Sequence, residues 1–238
     1  MNHLTLAVAV DMASHAYHQT VHMDGFTITQ YSQGNVQWFS ARSSGDLWIA
    51  FCGTNEADDW IFNLNIGKEI SSCGYVHDGF NSALDTVWST VMDEIARSHL
   101  DRLTFVGHSF GGALAAIAAS RLIFSPLCSQ LYLWTFGQPR CGDKQWADWM
   151  EQQLNTRYTR VYNAGDIVPH VPTRLRFCHA GRELFFDEDG KATDPTLWQR
   201  LSAAVDVMVT QFWTSIVWLG AHSMHRYRSN VLKLLESR

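Results

Sequence analysis

Residues 103–120 read LTFVGHSFGGALAAIAAS. Leu103 to Val106 reads as a short apolar strand. From Phe110 the run turns small and alanine-rich, a composition that favours a helix to about residue 123. Between them lies Gly107-His108-Ser109-Phe110-Gly111, a GxSxG pattern. Three fixed positions carry little information alone; the strand running in and the helix running out give them meaning. So sharp a strand-to-helix turn needs glycines, because neighbouring chain passes close to the serine backbone. It would present the Ser109 hydroxyl at the carboxyl end of a sheet, near the positive end of a helix dipole.

Outward from this turn, Leu131–Phe136 reads as a second strand, almost wholly apolar, as a strand covered on both faces should be, and Tyr158–Tyr162 as a third. Upstream, residues 26–31, 35–41 and 46–52 are strands separated by turn signals at Gly34 and Ser44-Gly45. Helical spacing marks 3–19 and 80–99, the latter through Phe80, Ala83, Leu84, Val87, Val91 and Ile95. Strands alternating with helices predict an α/β fold: a mainly parallel central sheet with helices on both faces. With 238 residues, no repeat and no Pro/Gly/Ser linker, one domain over 1–238 is the economical expectation.

Hydrophobic residues are 46% and charged ones 17%, which describes a compact chain and not a disordered one. A net charge of -5 provides no basic field, so no nucleic-acid partner is expected. The five cysteines (Cys52, Cys73, Cys128, Cys141, Cys178) form no CxxC pair and read as free thiols. Asp11 interrupts the apolar run Leu4–Val10 and no Lys or Arg precedes it, so the segment reads as a first helix, with the cytoplasm as default address.

A serine hydroxyl is a poor nucleophile until a positioned imidazole takes its proton. Asp166 follows the 158–162 strand, as the acid of a strand-end site should; Asp143 is the rival, with a competing reading as N-cap of a 144–154 helix. His170 and His179 lie too near Asp166 to leave room for another element. His222 and His225, in GAHSMHRY (220–227), are nearly equal choices for the base on the residues alone.

At this point the chain resembles the class 3 lipase family, an α/β-hydrolase group. Phe51-Cys52-Gly53-Thr54 with Asp59-Trp60 is similar to the family's oxyanion segment, and Val76-His77-Asp78-Gly79-Phe80 to the stretch that follows it. Residues 107–115 match the nucleophile turn. Thr135–Arg140 and Asn163–Pro169 resemble the acid-bearing region, Phe177–Glu183 a family hairpin, and His222-Ser223-Met224 with Tyr227 the terminal histidine motif. The resemblance implies Ser109 as nucleophile, Asp166 as acid, His222 as base, and Thr54 with the Phe110 backbone N–H as oxyanion donors. The separations of 57 and 56 residues leave room for a strand and a helix between each pair. Two departures stand out: Cys52 where the family usually has arginine, and Ala221 where an acidic residue is common.

The implied chemistry is acyl transfer on lipid carboxylic esters, without metal or organic cofactor. A phospholipase A-type enzyme or a short-chain or aryl esterase is the near alternative, and a non-catalytic hydrolase-like binding protein the distant one. His108 reads as structural or pocket-lining, pointing away from proton transfer. His15, His18 and His22 could share a helix face, more simply a solvated one than a metal site.

Two segments are expected to shape the pocket. Asp59, Trp60, Ile61 and Phe62 stand where relatives carry a short lid. Residues 197–219, within a cap-like stretch at about 192–220, form an apolar helix with a polar stripe at Ser202, Asp206, Thr210 and Thr214. Arg200, Asp206 and Gln211 argue against a transmembrane span. At least one of Trp198, Phe212, Trp213 and Trp218 is expected at the pocket mouth, towards a lipid–water boundary.

Overall fold

The computed structural model describes residues 3–53, 67–97, 100–193 and 220–237. The chain starts with helix α1 (His3–His15) and an antiparallel meander of β1 (Thr27–Gln33), β2 (Val36–Ser43) and β3 (Asp46–Phe51). A separate hairpin of β4 (Lys68–Ser71) and β5 (Gly74–His77) leads into α2 (Asp78–Ala96). There follow β6 (Leu100–His108), α3 (Phe110–Leu122), β7 (Cys128–Phe136), α4 (Lys144–Leu154), β8 (Tyr158–Asn163), β9 (Arg182–Phe186), the short β10 (Ala192–Thr193) and α5 (Met224–Glu236). The main sheet runs β1-β2-β3-β6-β7-β8-β9-β10. From β3 to β9 its strands are parallel; β1, β2 and β10 run antiparallel at its edges. This is the α/β-hydrolase architecture.

Strand periodicity divides the core into two layers. Leu47, Ile49, Phe51, Leu103 and Phe105 face α2, α3 and α4. Trp48, Ala50, Val106, Trp134 and Phe136 face α1 and α5 on the other side. Helix α3 is buried almost all round, which its alanines allow: small side chains let it lie close to the sheet. Each fully buried large apolar side chain stabilises the fold by roughly 1.5–3 kcal/mol.

Local signals account for most boundaries. His77 caps α2, its Nδ1 accepting from Gly79 N at 3.2 Å, so the helix starts at Asp78, before the Phe80 where apolar spacing begins. Strands β6 and β7 reach further back than their apolar cores, to Leu100 and Cys128, because parallel pairing continues through Arg102 and Gln130. Helix α1 stops at His15, not residue 19, so His15, His18 and His22 do not share a helix face; His22 is solvent-exposed beside Asp24. Among the described residues no helix is long and apolar enough to cross a membrane. The cap-like stretch lies mostly outside the described residues.

A buried carboxylate ties α2 to the meander. Glu94 is 1% exposed and accepts from Ser40 Oγ at 2.5 Å and Tyr31 Oη at 2.8 Å, with Arg42 Nη2 at 2.7 Å. Replacing it leaves the Ser40 donor stranded in the core. Glu94→Ala is expected to lower unfolding free energy by about 2–3 kcal/mol, read from urea denaturation; a loss below about 0.5 kcal/mol would deny Glu94 that role.

Candidate active site

The turn after β6 holds Ser109 at φ 57°, ψ -127°, outside the regions a side-chain-bearing residue ordinarily adopts. Its N–H donates to Phe136 O at 2.9 Å, and its own carbonyl accepts from Gly112 N at 2.9 Å as α3 begins. A Cβ at Gly107 would lie 2.1 Å from Gly111 O, and one at Gly111 would lie 2.3 Å from Phe51 O. Both glycines of the motif are therefore demanded by close backbone approach. The Ser109 hydroxyl is buried and has no hydrogen-bond partner among the described residues. Phe110 is the first residue of α3, where backbone N–H groups point along the axis towards the strand ends.

Asp166 follows β8 and is buried. His222 Nδ1 lies 3.0 and 2.9 Å from its two carboxylate oxygens. A carboxylate only accepts, so His222 carries its proton on Nδ1, and in the neutral ring Nε2 is the basic nitrogen. Tyr227 Oη donates to Asp166 Oδ2, and Val168 N donates to Oδ1 at 2.9 Å. Burial would raise this carboxyl, but the His222 charge and these hydrogen bonds outweigh it and hold it below its usual range. A Cβ at Gly137 (φ 55°) would come within 2.9 Å of Asp166 Oδ2 and of His222 Cε1. The end of β7 is thus packed flat against the acid–histidine pair.

The backbone before His222 is also held. Asn163 Nδ2 donates to Ala221 O at 2.9 Å, and Asn230 Nδ2 donates to Asn163 Oδ1 at 3.0 Å. Ala221 enters this arrangement through its carbonyl, so the missing acidic side chain removes no bond seen here. His108 is buried and packs its ring against His222, with centroids 4.6 Å apart. The expectation that it points away from the proton-transfer site is corrected: the path of the turn lays its ring against the histidine that Asp166 holds.

Of the rival groups, Asp143 caps α4, accepting from Trp146 N at 3.0 Å. His225 is exposed on α5, whereas His222 is buried. Cys52 is a buried thiol that burial pushes up to about 12, too high for a thiolate nucleophile at neutral pH. With Cys73, Cys141 and Cys178 it is free. Thr54, Asp59, Trp60, Ile61, Phe62, Trp213 and Trp218 lie outside the described residues, as do Trp198 and Phe212. Gly53, the last described residue before that gap, has room for no side chain, since its Cβ would fall 2.0 Å from Tyr17 Oη.

The supporting groups Tyr17, Gly137, Asn163 and Asn230 were not legible from sequence. Gly137, inside the TFGQPR stretch, and Asn163, heading the Asn163–Pro169 stretch, carried the only local hints. Tyr17 stands 91 residues from the His108 it touches, beyond any periodic signal.

Burial holds His108 down to about 3 and half-buried His170 down to about 4, the nearby His222 and Arg140 charges adding to it. Unfolding restores the ordinary value of 6.5, so the unfolded chain binds protons that the folded one refuses. Asp166 acts lower: its stabilisation is complete above the usual carboxyl value of 3.8 and fades as pH falls beneath it. The melting temperature is therefore expected to decline as pH falls from about 6.5 to 4, measured by calorimetry; a level value down to about 4.5 would contradict these assignments.

The family model described as "Lipase (class 3)" matches residues 48–176, more than half of the chain. A lipase from Rhizomucor miehei is 32% identical over 162 residues, covering 63% of this chain and 44% of that one. A secreted mono- and diacylglycerol lipase from Fusarium solani is 32% identical over 151 residues, covering 60% and 44%. The chain thus spans less than half the length of these curated relatives. The solved native complex of Rhizomucor miehei lipase with its propeptide superposes with a TM-score of 0.68 at 27% identity, covering 80% of this chain and 70% of that one. The cytoplasmic address expected from the N-terminal residues does not stand, because the Fusarium relative is a secreted enzyme. Residues 3–15 form a helix packed in the fold, and packing carries no address. By the matched residues and the shared architecture, this chain is a member of the class 3 lipase family.

Proposed function

We propose that the chain hydrolyses carboxylic esters of lipids through an acyl-enzyme on Ser109. One observation carries the reading: a buried carboxylate grips Nδ1 of a buried histidine at the same strand ends where Ser109 is held at positive φ. In this reading His222 Nε2 takes the hydroxyl proton as Ser109 Oγ attacks the ester carbonyl, and Asp166 stays ionised beside the imidazolium. The Phe110 N–H and Thr54 donate to the oxyanion, each worth about 3 kcal/mol in comparable sites. His222 returns the proton to the leaving alcohol; water, activated by the same ring, then releases the acid. The backbone strain at Ser109, of order 1–3 kcal/mol, disfavours a binding-only protein, for which it would have no use.

The name of the secreted Fusarium relative gives mono- and diacylglycerols as its substrates, and acylglycerols are the substrate class of this reading. The two segments expected from the sequence to shape the pocket, 59–62 and 197–219 with Trp213 and Trp218, lie outside the described residues. A rate series over p-nitrophenyl esters of rising chain length separates this reading from a short-chain or aryl esterase.

Ser109→Ala is expected to cut p-nitrophenyl ester hydrolysis by about 10⁴-fold or more and to abolish labelling by an organophosphonate. A residual tenth of the wild-type rate would remove Ser109 from the mechanism. His222→Ala should lose activity comparably, and His225→Ala should keep most of it; the opposite pattern would move the base three residues along.

A further inference from the structure

The mechanism above uses His222 but not the second imidazole packed against it. His108 and His222 rings are tilted by 32° at 4.6 Å between centroids. His108 Nε2 lies 2.7 Å from the carbonyl oxygen of His222 itself, and His108 Nδ1 lies 2.5 Å from Tyr17 Oη. These contacts settle the proton positions. A peptide carbonyl only accepts, so the His108 proton sits on Nε2 and donates to His222 O. In a neutral ring Nδ1 is then an acceptor, and the Tyr17 hydroxyl donates to it. Burial first, and then the His222 charge, oppose a second proton on His108. Burial likewise pushes the Tyr17 phenol well up, so it keeps the proton it donates.

No local secondary structure demands this chain of bonds. Tyr17 follows α1, His108 ends β6 and His222 precedes α5, with separations of 91 and 114 residues. Asp166 grips the His222 ring at one end, but a ring held at one nitrogen still swings if its backbone moves. The Ala221 carbonyl is tied by Asn163, and the next carbonyl, that of His222, by His108.

We infer that Tyr17 and His108 are a positioning pair for His222: they anchor its backbone through its own carbonyl and present a neutral ring to an imidazole that becomes cationic. The inference rests on the reading of His222 as the base. The groups facing His108 are Tyr17, His222, the Asp166 carboxylate and Tyr227, whose ring is 5.6 Å away. Displacing a catalytic group by about 1 Å costs on the order of 10²-fold in rate, which sets the scale expected when the anchor is lost.

Nitrogen-15 histidine NMR on the whole chain reads the tautomer without substrate, with His108→Gln assigning the signal. The expected result is a neutral Nε2–H ring at His108 from about pH 5 to 8, and loss of that single tautomer in Tyr17→Phe. In short-chain ester assays, Tyr17→Phe and His108→Leu should lower kcat by about 10–100-fold with KM within about twofold. His108→Gln, which keeps an amide donor near the position of Nε2, should recover most of the loss. If His108→Leu does not fold, Tyr17→Phe carries the test, since it removes one oxygen and keeps the ring. A wild-type kcat in Tyr17→Phe, or a His108 that titrates between about pH 5 and 8, overturns the inference. A wild-type chain that cleaves no ester overturns the functional reading instead, and the NMR result still decides whether the pair holds.

Discussion

The N–H of Ser109 donates to the carbonyl of Phe136 one residue past the last paired position of β6, His108 opposite Phe136. That bond carries the parallel ladder one step into the turn before the chain reverses into α3. Without it, the serine's positive φ would relax and α3 would lose its starting angle. Burial of α3 between sheet and helices offsets the local strain, and the glycines at 107 and 111 supply the clearance. The carbonyl that receives this bond adjoins Gly137, whose bare Cα faces Asp166 and His222. One short contact thus sets the spacing between the nucleophile turn and the acid–histidine pair.

Much of this framework was legible in the sequence because its signals are local. The apolar run into Gly107, the alanines after it and the cap preference of Asp143 each act within a few residues. The choice of His222 over His225 was not settled by local chemistry; both sit in one eight-residue stretch, and it was the family resemblance that separated them. The fold explains the difference. Ser223 caps α5, its Oγ accepting from Arg226 N at 3.3 Å, which leaves His222 buried just before the helix and His225 on its exposed side. The helix itself went unread, although Tyr227 and Val231 have helical spacing and are both buried.

What stayed hidden was every partner chosen by tertiary approach. Glu94, Tyr17, Asn163 and Asn230 are polar residues whose surface counterparts would look the same in a linear chain. Only the packing of α1, α2 and α5 against the sheet tells which of them enter the interior. Helix α1 shows the complementary error: its apolar periodicity suggested four further residues, but the chain turns after His15, and that turn brings Tyr17 to His108.

The thiols carry a practical consequence. Cys52 lies at the end of β3, and Cys141 accepts, through its carbonyl, from the His77 N–H that leads into α2. Burial pushes both side chains up to about 12. Protonated and shut away, they are silent to alkylating reagents while the strand ends stay closed, and become reactive only when those ends part. The protein therefore contains its own clock for local opening, with one hand on each side of the nucleophile strand, readable by thiol alkylation without substrate.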